Sequence, residues 1–203
     1  MRILLVCLFL VLGASRTGFA DVTVFENDYD GFLEAVGAVN VIDFDTLPNG
    51  EPSMPGVEIT DEFNYDAQGV HFSAPIGIPE IGGNQISGFD LGVQAGPLDM
   101  TWLIADLVEP GLAVGVTFGG HTTLSIYDLS DQLIAEHEFV GGGGPFFIGF
   151  VSDIPIGYAT ADRNSNVEAI GDFVFAPVPE PGTLALLASG VLLVMRRRPR
   201  RAI

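Results

Sequence analysis

Apolar residues follow two different periods along the chain, and together they predict one helix followed by many strands. Residues 29–36 repeat at helical spacing and place their apolar side chains on one face. Either Asp28 or Asp30 fits the N-cap position of this helix. From Val39 onward the apolar residues alternate or form short runs, with Gly or Pro about every eight to twelve residues. This pattern is typical of an all-β sandwich or barrel.

The strand pattern is clearest in the second half of the chain, where it predicts a β-hairpin. Leu124 and Ile126 share one face of its first strand, and the sequence 128–131 has the composition of a turn. We predict strands near residues 22–25, 40–45, 69–73, 98–107, 112–118, 122–128, 132–139, 145–151, 155–161 and 167–175. Residues 74–97 alternate little and are rich in Gly and Pro, so we expect a long irregular loop there. Trp102 lies in an apolar strand and is expected to be buried.

Both ends of the chain differ from the middle and predict export followed by contact with a membrane. Residues 1–20 carry a basic residue, an apolar stretch and small residues before Asp21, which is the layout of a secretory signal peptide. A C-terminal tail, residues 177–203, contains a hydrophobic segment at 183–195 and an arginine-rich end at 196–201. The apolar core of that segment spans about 18 Å, short of the roughly 30 Å hydrocarbon core of a bilayer, which favours temporary anchoring. Five arginines predict a cytoplasmic C-terminus: Arg196, Arg197, Arg198, Arg200 and Arg201.

The region between these ends, residues 21–176, is predicted to be one domain with a strong negative charge. It holds 25 of the 26 acidic residues but only Arg163 among the eight basic ones, so its net charge is −24. Such a surface excludes nucleic acid as a partner, concentrates divalent cations and also keeps the protein soluble by repulsion. The only cysteine, Cys7, lies in the signal peptide, so the mature chain has no disulfide.

Calcium is the one cofactor that this composition suggests, because oxygen ligands are abundant and thiolates are absent. If an early strand lies beside the last one, Asp43 and Asp45 come close to Asp172, and their like charges then require a cation or a proton. These three residues are our candidate calcium site. The alternative is that both early aspartates face solvent while Ile42 and Phe44 face the core.

Zinc binding and catalysis are less well supported by the residues. His71, His121 and His137 lack zinc-ligand spacing, although the last two fit diagonal positions across the hairpin. Glu136 and Glu138 share a strand face, but 25 acidic residues make such pairs unavoidable. No motif of a serine, cysteine or phosphate-binding enzyme is present, so we assign no catalytic residue and predict that the protein is not an enzyme.

The tail has the order of parts of a known sorting signal. The tripeptide Pro179-Glu180-Pro181 precedes the hydrophobic segment and the arginines. In this order the tail resembles the PEP-CTERM sorting signal of Gram-negative bacteria, which a membrane enzyme called exosortase recognises. The resemblance implies that the tripeptide is the recognition element, that the inner membrane holds the protein transiently, and that the protein then reaches the cell surface or the extracellular space.

Several middle segments resemble the jelly-roll-like ectodomains that often precede such tails. Examples are residues 41–45, 69–72, 146–150 and 171–175. The resemblance implies a jelly-roll-like, two-sheet β-sandwich with one short N-terminal helix, flanked by a signal-peptide helix and a C-terminal hydrophobic helix. It also implies association with extracellular polysaccharide and biofilm matrix. We therefore expect a non-enzymatic protein with a structural or carbohydrate-associating role; the alternative is a polysaccharide-active hydrolase on the same sandwich.

Overall fold

Antiparallel strands dominate the computed structural model of the protein, which describes residues 20–75, 78–82, 84–87, 100–141, 144–163 and 169–178. The strands are β1 (Val22–Glu26), β2 (Asn40–Ile42), β3 (Val57–Glu58), β4 (Val70–Ser73), β5 (Glu80–Ile81), β6 (Ile86–Ser87), β7 (Met100–Phe118), β8 (Thr122–Asp128), β9 (Leu133–Phe139), β10 (Phe146–Arg163) and β11 (Ile170–Pro177). Helix α1 (Tyr29–Val36) and a 3₁₀ turn (Tyr65–Gln68) complete the described elements. The predicted all-β sandwich with one short helix is confirmed, whereas the two predicted terminal helices lie outside the described residues.

The two long strands, β7 and β10, pair with each other and run through both layers of the sandwich. Their register shifts between Val151 and Ile156, where both strands bend. On one side of the bend the strand order is β4–β7–β10–β8–β9, which we call the first layer. On the other side it is β2–β11–β7–β10–β1, the second layer. Strands β3, β5 and β6 form a small ladder that meets β11 at Ile170.

The continuity of β7 and β10 differs from the sequence prediction, which divided each into two strands. Pro110 lies in the gap between the predicted strands 98–107 and 112–118, and a proline lacks the backbone N–H that a strand interior normally uses. In the structure the chain bends at this point without leaving the sheet, because Gly111 pairs with Ile156 of β10 and with Pro177 of β11. A Cβ atom on Gly111 would lie 2.9 Å from the carbonyl oxygen of Ala176, so this close approach requires glycine.

The main core lies between the two layers. Aromatic side chains from both layers and from the connecting segments fill its centre, with Phe72 in edge contact with Phe173 and Tyr65 and in tilted contact with Phe44. The predicted alternation of the hairpin is confirmed, since Leu124 and Ile126 are buried in this core. Burial of this apolar area supplies most of the stability of a domain without disulfides.

Helix α1 covers the outer face of the second layer. Its bounds match the prediction, and the structure resolves the N-cap in favour of Asp28, whose Oδ1 accepts from the N–H of Gly31 at 3.0 Å. Phe32 is fully buried against Phe147. A Cβ atom on Gly149 would lie 2.7 Å from the Phe32 ring, so this glycine lets the helix approach the sheet closely.

The segment between β2 and β7 contains structure that the sequence pattern did not predict. The buried amide of Asn64 donates to the Phe72 carbonyl at 2.7 Å and accepts from the Phe72 N–H at 2.8 Å, so a side chain takes the place of a neighbouring strand. The predicted irregular loop at 74–97 includes the short strands β5 and β6, and its residues 88–97 lie outside the described part. Two-residue strands carry too little alternation to be recognised.

Both ends of the described sandwich lie beside the bends of β7 and β10, at what we call the bend end. Asp21 exchanges hydrogen bonds with Asp153 next to the bend of β10. The backbone N–H of Val178 donates to the carbonyl oxygen of Pro110, next to the bend of β7, at 2.9 Å. The two bends are neighbours because Gly111 pairs with Ile156. Among the described residues no helix has the length and apolarity needed to cross a bilayer.

Candidate functional site

The structure brings the three predicted calcium ligands to one corner of the second layer. Strand β2 pairs with β11 through Ile42 and Phe173, which places Asp43, the next residue, beside Asp172. Asp43 Oδ1 accepts from the N–H of Asp45 at 3.0 Å, and both of these carboxylates are exposed. The side chains on either side of Asp43 are buried, as the solvent-facing alternative expects. We call Asp43, Asp45 and Asp172 the acidic corner.

The electrostatics of the acidic corner centre on Asp172. Partial burial is the main cause that raises the pKa of Asp172, and the negative charges of Asp43 and Asp45 raise it further. A hydrogen bond from Thr117 Oγ1 to Asp172 Oδ2, at 3.2 Å, opposes this shift. Within the described ranges no three acidic or histidine side chains converge closely enough to hold a metal ion. Calcium binding at this corner stays a prediction, and it requires the three carboxylates to come closer together than they are in this structure.

A second candidate surface lies on the outer face of the first layer. Tyr127 of β8 and Tyr158 of β10 are paired in register, and their rings stack with centroids 4.6 Å apart and planes inclined by 6°. Asp106 of β7 pairs with Tyr158 on the other side, and His71 of β4 pairs with Asp106. This row crosses four strands and forms the tyrosine face, which we define as His71, Asp106, Tyr127 and Tyr158.

The tyrosine face is polar and negatively charged around its two rings. Partial burial is the main cause that raises the pKa of Asp106; His71 lowers it and Asp131 raises it. Burial also raises the pKa of Tyr158, followed by the charge of Asp131. Asp131 belongs to the β8–β9 turn, so that turn lies beside the face. The alternation of β8 places Tyr127 on the strand face opposite Leu124 and Ile126, but the sequence does not predict the tyrosine face, because nothing local pairs Tyr127 with Tyr158.

Each of the three histidines lies beside a carboxylate. His121 Nε2 lies 2.9 Å from Glu138 Oε1, whereas His137 Nε2 lies 2.8 Å from Glu26 Oε2, so the two hairpin histidines have different partners. His71 Nδ1 lies 3.0 Å from Asp66 Oδ1.

Of the other residues singled out in the sequence, the structure describes Glu136 and Glu138 but not the side chain of Trp102 or the tail. Ser125 Oγ donates to Glu136 Oε2 at 3.3 Å, and Ser125 and Thr123 pair with Glu136 and Glu138, which places both glutamates on the outer face of the hairpin. The side chain of Trp102 lies outside the described part of the chain. So do Pro179, Glu180 and Pro181 and the five arginines of the tail.

Comparison with known proteins identifies the tail. The described β-sandwich is followed in the sequence by a segment that is first apolar and then basic. Residues 177–201 match the family model of the PEP-CTERM protein-sorting motif. This motif marks the protein for export and for exosortase processing at the membrane. No curated protein matches the chain at a significant level.

The raised pKa of Asp172 predicts how stability depends on pH at the acidic corner. Because the folded state binds this proton more tightly than the unfolded state, Asp172 favours folding below its ordinary pKa of about 3.9 and loses that contribution as the pH rises through the folded value. We expect Asp172→Asn, which keeps an acceptor for Thr117, to raise the melting temperature by roughly 1–2 °C near pH 7 and to change little near pH 3. Scanning calorimetry across this range checks the difference; a lower melting temperature for the variant at neutral pH would contradict it.

Calcium binding at the acidic corner has its own test. We expect the protein to melt at a higher temperature in about 1 mM calcium than in chelator, because a cation relieves the repulsion among the three aspartates. Asp43→Asn should lose most of this difference, whereas Asp30→Asn, an exposed aspartate of helix α1, should retain it. Equal melting temperatures in calcium and chelator for the unsubstituted protein would rule the site out.

Proposed function

We propose that the protein is a non-enzymatic component of the extracellular matrix that binds polysaccharide through the tyrosine face. Its PEP-CTERM motif supplies export and processing. The observation that carries the binding proposal is the stacked pair of Tyr127 and Tyr158 on a partly exposed and otherwise polar sheet surface. The buried phenylalanines of the described core, by contrast, meet one another in edge-on or tilted contacts.

The chemistry of the tyrosine face suits a sugar polymer. The rings of Tyr127 and Tyr158 offer apolar surface to the C–H groups of a sugar, and their hydroxyls donate and accept hydrogen bonds. Asp106 and the nearby turn residues Asp128 and Asp131 add carboxylates that accept hydrogen bonds from sugar hydroxyls. Since these groups are acidic, the face favours neutral or amine-bearing sugars and repels polymers rich in carboxylate or sulfate.

Removing one aromatic ring tests the binding proposal. We expect Tyr158→Ala to weaken binding to a neutral exopolysaccharide about three- to tenfold, because it removes stacking surface, whereas Tyr158→Phe keeps the ring and loses less. Affinity electrophoresis in gels containing a neutral glucan, and in parallel gels containing alginate, measures this. Met54→Ala serves as a control, since Met54 is 60 % exposed and outside the face. Unchanged mobility shifts for Tyr158→Ala would contradict the proposal.

A polysaccharide hydrolase is the second candidate, and Asp106 is the observation that favours it. A carboxylic acid with a raised pKa beside an ionised carboxylate is the arrangement that glycosidases use. The same electrophoresis samples therefore also receive an assay for reducing ends, and we expect none to be released. Release that Asp106→Asn abolishes would favour the hydrolase.

The sorting motif has a separate genetic test. We expect the double substitution Glu180→Ala and Pro181→Ala to block processing, so that the full-length chain accumulates at the inner membrane of a host that expresses exosortase. Thr183→Ala, just outside the tripeptide, should be processed like the unsubstituted chain. Fractionation with immunoblotting measures both. Normal surface delivery of the double variant would contradict the sorting role and would leave the tail only the role of a membrane anchor.

A further inference from the structure

The sorting tripeptide begins directly at the edge of the folded sandwich. Strand β11 ends at Pro177, which pairs with Gly111 of β7. The next residue, Val178, is held by the Pro110 carbonyl at 2.9 Å, and the tripeptide starts at Pro179. The sequence therefore contains no linker between the last residue bound to the sheet and the first residue of the signal.

The short distance between the sheet and the tripeptide limits where the processing enzyme is located when it binds the signal. An extended chain advances at most about 3.5 Å per residue, so the middle of the tripeptide lies within roughly 7 Å of Val178. Fraying adds little length, because Phe175 and Ala176 are buried on either side of the strand. Only the last two described residues, Pro177 and Val178, detach without exposing a buried side chain. An active site that encloses Glu180 must therefore contact the domain.

The surface at this point has features that suit a protein partner. A cleft of about 280 Å³ lies beside the exit of the tail. Val108 borders it and is 56 % exposed, which is high for a valine in a strand, while its backbone N–H is fixed by the Gly69 carbonyl at 3.0 Å. We call the surface formed by the following residues the exit surface: Asn40, Gln68, Val108, Glu109 and Pro177.

We propose that the exit surface is a docking site for the membrane enzyme that processes the tail, so that the enzyme recognises the edge of the folded domain together with the tripeptide. The inference rests on the sorting motif and not on polysaccharide binding. Asp21 lies at the same bend end. The predicted signal peptide, which precedes Asp21, and the tail, which follows β11, therefore attach to the same end of the domain. The fitting partner surface is apolar opposite Val108 and basic opposite Glu109.

Moving the signal away from the domain tests this proposal. A Gly-Ser linker of about six residues between Val178 and Pro179 moves the tripeptide by up to about 20 Å. We expect tail removal to slow at least about fivefold in pulse-chase experiments with exosortase, because the contact with the exit surface is lost. The same linker between Gly119 and Gly120, away from the bend end, should leave the rate unchanged. Unchanged or faster removal with the first linker would overturn the proposal.

Substitutions on the exit surface provide an independent test without an insertion. We expect Val108→Glu to slow tail removal at least about fivefold and to leave the melting temperature and polysaccharide binding unchanged. Val140→Glu is the matched control, since Val140 is 74 % exposed and follows β9 at the opposite end. The double substitution Glu180→Ala and Pro181→Ala gives the rate of tail removal in the absence of a functional signal. Equal rates for Val108→Glu and Val140→Glu would contradict docking, even where the tripeptide proves essential.

Discussion

The antiparallel pairing of β7 with β10 is the interaction on which the rest of the structure depends. Because both strands bend at the same place, one ladder supplies the centre of both layers, and every other large element joins it directly or through one neighbour. The bend requires Gly111, because a Cβ atom there would lie only 2.9 Å from the carbonyl oxygen of Ala176 in β11. The core, the tyrosine face and the two ends of the domain all take their positions from this pair of strands.

The local pattern of apolar and polar residues predicted those elements that bury one whole face against the rest of the domain. Helix α1 and strand β8 appear with the expected bounds, since the period of their apolar residues is set by the face that they bury. The pattern did not predict the passage of β7 through Pro110, because long-range pairing with β10 and β11 compensates for the missing N–H. The pattern also did not predict the role of Asn64, whose side-chain amide forms with the Phe72 backbone the hydrogen bonds that a neighbouring strand would form.

The two candidate sites differ in how far the sequence reveals them. The approach of Asp43 to Asp172 follows from one assumption, that an early strand lies beside the last, and β2 does pair with β11. The tyrosine face depends on the register between β8 and β10, and that register shifts at Ile156 next to the bend. A single residue of slip would move Tyr158 to the core, so only the three-dimensional pairing shows that it meets Tyr127.

The shortage of cations connects these sites with the tail. The domain has one arginine for 25 acidic residues, and its histidines are each engaged by a carboxylate. The acidic corner, the carboxylates beside the tyrosine face and Glu109 on the exit surface consequently have little positive charge of their own to pair with. This lack of internal positive charge supports each of the partners proposed above, because metal ions, amine-bearing sugars and basic groups of a protein would all supply it from outside. If the five arginines of the tail stay on the cytoplasmic side, as the sequence predicts, they lie across the membrane from the domain and provide no such charge.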